Sequence, residues 1–75
     1  MKLFLLKNIH ADWGAYHNSI VCAETKEEAL QFMPTGEFGF VKANYWASDP
    51  KFIFCQEIGD AHERCKKGVV IAAAS

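Results

Sequence analysis

Seventy-five residues, 51 % of them hydrophobic, are enough for one small domain and too few for two, because a chain of this size buries only roughly 60 % of its unfolded surface. Ten aromatics (six Phe, two Tyr, two Trp) provide core material and exclude intrinsic disorder. The formal net charge of −1 lacks the positive excess of a general nucleic-acid binder.

The chain opens on Met1 to Ile9, a run dense in Leu and Phe that alternates apolar side chains onto both faces and reads as a strand. Its LFLL is too short for the apolar region of a signal peptide. The polar break HADWG leads into AYHNSIVCAE, a second strand-like run, and a hairpin joins the two. Thr25 followed by Glu28 predicts a capping box, in which each side chain accepts the other's backbone N–H. A helix is expected from Lys26 to about Met33, where Pro34 and Gly36 turn the chain away. Two turns of helix are unstable alone, so this one has to pack on the sheet.

From Gly36 to Pro50 the residues fit neither period, and a structured loop with one short strand is expected. KFIFCQEIG resumes as a strand, DAHERCKKG is a polar connection, and VVIAAAS closes as a short apolar strand. The expected fold is α+β: a single domain over 1–75, ordered β-β-α-β-β, with one largely antiparallel four-stranded sheet and a short helix on one face. The most continuous apolar runs place the first and last strands at the centre, with the second and third at the edges. The closing apolar run falls far short of the roughly 20 residues that span a bilayer. Three cysteines, an odd count without dense spacing, read as free thiols, and the expected location is the cytoplasm.

All nine acidic residues lie between Asp12 and Glu63, accompanied there only by Lys26, Lys42 and Lys51. The other five basic residues, Lys2, Lys7, Arg64, Lys66 and Lys67, flank that segment. Glu24, Glu27 and Glu28 suit the helix dipole. Together with Glu37, Asp49, Glu57, Asp60 and Glu63 they can also present negative charge to a basic groove, in imitation of nucleic-acid phosphates. Trp13, Phe38, Phe40, Tyr45 and Trp46 sit in or beside loops. Of these, Phe38, Tyr45 and Trp46 are the candidate contact residues, since exposed aromatics anchor interfaces.

Cys55, His62 and Cys65, with His10 or His17 as a fourth ligand, are the one zinc-like set, but their spacing matches no common zinc module. Cys65 lies among Arg64, Lys66 and Lys67, the setting of reactive thiols, yet only His62 offers a nearby base. Catalytic residues, metal ligands and cofactors are therefore not assigned. One alternative is a small nucleic-acid binder, with Lys2, Lys7, Arg64, Lys66 and Lys67 brought together by pairing of the terminal strands. Another is a zinc-stabilised module.

The junction VCAETKEEAL with its following Pro-Thr-Gly, the opening MKLFLL, YWASDP before a strand ending in EIGDA, and the closing KKGVVIAA together resemble small uncharacterised phage and prophage proteins. By analogy of fold they also resemble small anti-CRISPR proteins, which bind Cas surveillance complexes and block nucleic-acid recognition. The resemblance implies a non-enzymatic inhibitor of a host defence assembly, acting in the host cytoplasm. Its partner would be a protein or ribonucleoprotein complex, engaged through an acidic, aromatic-anchored surface.

Overall fold

A computed structural model describes residues 1–11 and 14–74. Strands β1 (Lys2–Asn8) and β2 (Tyr16–Ala23) precede helix α1 (Lys26–Ala29), and strands β3 (Ile53–Asp60) and β4 (Gly68–Ala74) follow it. The four strands form one sheet in the order β3-β1-β2-β4, with every neighbouring pair antiparallel. The α+β architecture is therefore as the periodicity predicts.

The strand order differs from expectation in one respect: β2, not β4, is the second central strand. An apolar run by itself does not fix strand order: β4 lies at an edge with Val70 and Ile71 exposed. The short hairpin seats β2 directly beside β1, with Gly14 in the left-handed region at φ +84°.

The helix is also shorter than predicted. Thr25 Oγ1 accepts from the Glu28 N–H at 3.1 Å, as expected of the cap. The reciprocal bond falls one residue early, with Glu28 Oε1 accepting from the Glu24 N–H at 2.9 Å. After Leu30 the bonds tighten to i→i−3, from Gln31 to Glu28 and from Phe32 to Ala29. Met33 N–H then turns to the Glu37 carbonyl, and Gly39 N–H to that of Gln31. Returning loop backbone thus replaces the bonds that would have prolonged the helix, and it forms the isolated bridge Phe32↔Phe38 in place of a short strand. A 3-10 turn at Pro50–Phe52, which the sequence reading did not anticipate, leads into β3.

Only one face of the sheet carries the core. Phe4 and Leu6 of β1, Val21 and Ala23 of β2 and Ile53 of β3 meet Ala29, Phe32, Met33, Trp46 and Ala47 from the helix and the long loop. Among the described residues, α1 and the long loop before β3 cover this face, whereas the other is covered at its Cys22 end by Met1 and Cys65.

Candidate interaction surfaces

Three surfaces emerge: an end of mixed charge, an exposed loop tip and an open sheet face. At the first, Lys2 pairs in register with Ala23 and with Asp60, so the exit of β2, the start of α1 and the exit of β3 share one end of the sheet. Glu24, Glu27, Glu28, Glu57 and Asp60 therefore do come together. Two of the flanking cations, Lys2 and Lys67, come with them. Lys2 Nζ lies 2.7 Å from Asp60 and 3.7 Å from Glu57, and Lys67 Nζ lies 3.0 Å from Glu28.

These contacts set the charges of the groups involved. The hydrogen bond from Lys2 holds the Asp60 carboxyl below its usual range, and Asp60 in turn raises the Lys2 ammonium. Glu28 is lowered first by the Glu24 backbone N–H and then by Lys67. The sequence segregation of charge thus becomes ion pairing in three dimensions. Glu24 and Glu27 remain exposed beside it. Asp49 lies apart, at the entry to β3, where its carboxylate caps the 3-10 turn by accepting from the Lys51 N–H at 2.9 Å.

The predicted aromatics divide by burial. Trp46 is only 4 % exposed and is a core residue, which removes it as an exposed anchor. Tyr45 is half-buried, edge-on to Tyr16 at 6.1 Å between ring centroids, and its carbonyl accepts from the Tyr16 N–H at 2.8 Å. Phe40 packs against the core. Trp13 lies outside the described residues. Phe38 alone stands out at 62 % exposure, braced edge-on by Phe32 at 4.9 Å. Val41, 57 % exposed, lies just beyond it. Beside Phe38, Glu37 accepts from the Thr35 hydroxyl, which lowers its carboxyl pKa.

The zinc-like set does not converge. Cys55 is in mid-β3, where burial raises its thiol pKa, whereas His62 and Cys65 lie on the turn after that strand. Among the described residues no group of three or more His, Cys, Asp or Glu side chains is placed to hold a metal ion. Cys65 instead adjoins Cys22, whose Sγ is 4.0 Å from the Cys65 carbonyl oxygen and 3.8 Å from Met1 Sδ. The basic alternative loses its geometry as well. The terminal strands do not pair, because β2 separates β1 from β4, and Lys7 stands at the far end of β1 from Lys2.

The open face of the sheet is a further surface, not expected from the sequence. Directly paired residues share a face, so Gln56, Leu5, Ile20 and Ile71 form one row across the sheet on the side away from the core. Ile71 is 59 % exposed. A shallow apolar depression of about 290 Å³ lies among Leu5, Ile20, Ile71 and Ala73. The signal was present in the two-sided apolar alternation of β1, set against a single short helix available to cover it. A second, more polar cleft of about 430 Å³ opens at the other end of the molecule, between Asn8, His10, Lys42 and Ser48.

Comparison with protein-family models, with curated proteins and with solved structures finds no match. The structure thus defines the class as a small single-sheet α+β domain. Among the described residues, no helix is long and apolar enough to cross a membrane.

Proposed function

We propose that the protein is a non-enzymatic, phage- or mobile-element-encoded binding protein that occupies a surface of a host defence assembly in the host cytoplasm. In its most concrete form it is an anti-CRISPR protein that blocks nucleic-acid recognition by a Cas complex. The observation that supports this reading is the loop tip at 35–41. Phe38 and Val41 are exposed there beside a carboxylate, and Gly36 and Gly39, at φ +108° and +107°, hold the tip in a backbone shape that few other residues adopt. Phe38 is the anchor and Glu37 the neighbouring charge, while Glu24 and Glu27 lend longer-range attraction to a basic groove.

Burying a Phe side chain stabilises a contact by about 1.5–3 kcal/mol, and truncating a central anchor costs about 2 kcal/mol or more. The Phe38→Ala variant should therefore bind roughly 30-fold more weakly while keeping its fold. The experiment measures target-DNA binding by purified Cas surveillance complexes with and without the protein, alongside a plaque assay for phage interference. Inhibition that is lost in Phe38→Ala supports the reading. Failure to bind any Cas complex, with interference unchanged, removes the anti-CRISPR form. Inhibition that survives Phe38→Ala removes the loop tip as the anchor.

A further inference from the structure

We propose that the open face of the sheet is a self-association surface, covered in solution by a second copy of this chain packed face to face across a two-fold axis. The open face is apolar in composition. The row Gln56-Leu5-Ile20-Ile71 contains no charge, and the next row on the same face, Phe54-Lys7-Asn18-Ala73, contains only Lys7. An antiparallel sheet with one face in water ordinarily alternates to polar residues on that face. Here the uncovered side holds Phe54 at 49 % exposure and Ile71 at 59 %.

Its area is that of a small interface. Four strands at about 4.8 Å spacing and seven residues at about 3.3 Å rise give a face of roughly 19 by 23 Å. Two such faces bury at most roughly 900 Å², because the Cys22 end is already covered by Met1 and Cys65; this is below the ~1,200 Å² of stable interfaces and in the range of weak ones. One copy therefore supplies the footprint of a weak dimer that forms at high concentration.

The face is also self-complementary, as a two-fold interface requires. An axis parallel to the strands and lying between β1 and β2 sets each β3 over the partner's β4 and each β1 over the partner's β2, keeping the rows aligned. Phe54 then meets the small Ala73 at the apolar depression of about 290 Å³. A cavity of roughly 150 Å³ already accommodates benzene, so the phenyl ring fits. Leu5 meets Ile20. Lys7 meets Asn18, not a second Lys7, so the lone charge on these rows is not set against itself.

Sedimentation equilibrium of the full chain, at concentrations up to roughly 1 mM, tests the proposal. The wild type should approach twice the chain mass of 8.4 kDa. Phe54→Glu and Ile71→Glu replace residues already half-exposed in the monomer, so both should keep the wild-type circular dichroism spectrum while weakening association at least tenfold. The arrangement sets Gln56 against the partner's Ile71, so the double variant Gln56→Lys/Ile71→Glu should recover association. A wild type that remains monomeric throughout overturns the proposal. So does a dimer that persists in Phe54→Glu, which would point instead to pairing along the β4 edge.

Discussion

Leu5 and Leu6 are neighbours in β1 with opposite environments, and truncating each in turn tests the one-sided core directly. Leu6 is fully buried on the core face, in register with Ser19 and Cys55. Its replacement by Ala removes a packed side chain from a close-fitting site, at a cost of about 3–4 kcal/mol. A 75-residue domain has about 4–11 kcal/mol of stability in all. Leu6→Ala should therefore lower Tm by at least about 12 °C and leave the domain marginal. Leu5, half-buried on the open face, loses only part of a side chain's burial, so Leu5→Ala should cost about 1 kcal/mol. Urea unfolding of dilute protein, followed by tryptophan fluorescence, measures both. Trp46 leaves the core on unfolding and reports the transition. If Leu5→Ala costs as much as Leu6→Ala in dilute solution, the face assignment is wrong. At high concentration the penalty of Leu5→Ala should grow, because association stabilises only the folded wild type.

Thr25→Ala removes the side chain that caps α1 and should cost about 1 kcal/mol of stability, read as a lower urea midpoint with m unchanged. Glu28 and Asp60 have folded pKa values below their ordinary 4.5 and 3.8, so the stability they add is present above those values and is lost as pH falls through the lower folded ones. Lys2 is raised above its ordinary 10.5, so its contribution is complete below that pH and is lost as pH rises through the folded value. Denaturation across pH 2–5 should show a flatter acid limb for Glu28→Gln and Asp60→Asn; a limb as steep as wild type would exclude these pairs as its source. Cys22 is fully buried, and burial, followed by the Cys65 thiol, raises its pKa. With an aromatic disulfide reagent at mildly alkaline pH, Cys55 and Cys65 should therefore react before Cys22. A thiol count of three without denaturant, reached in a single fast phase, would contradict this burial.

Features that depend on near neighbours are legible along the chain. The strand periods, the Thr25–Glu28 cap and the break at Pro34 are set by backbone geometry within a few residues, and they suffice for an α+β domain of four strands and one short helix. Even there, the helix end at Ala29 depends on loop residues 37–39 supplying and accepting backbone bonds, which is already a tertiary effect. Tertiary structure alone decided the rest. Loop aromatics look alike in sequence, yet packing buries Trp46 and leaves Phe38 exposed. An acidic segment and its basic flanks look segregated along the chain, yet Lys2 and Lys67 fold back onto it because strand register, not sequence distance, sets which charges meet. The apolar alternation of β1 specifies two greasy faces without saying which one the chain covers. Only the packing of helix and loop settles that, and among the described residues it leaves the Leu5, Ile20 and Ile71 row uncovered.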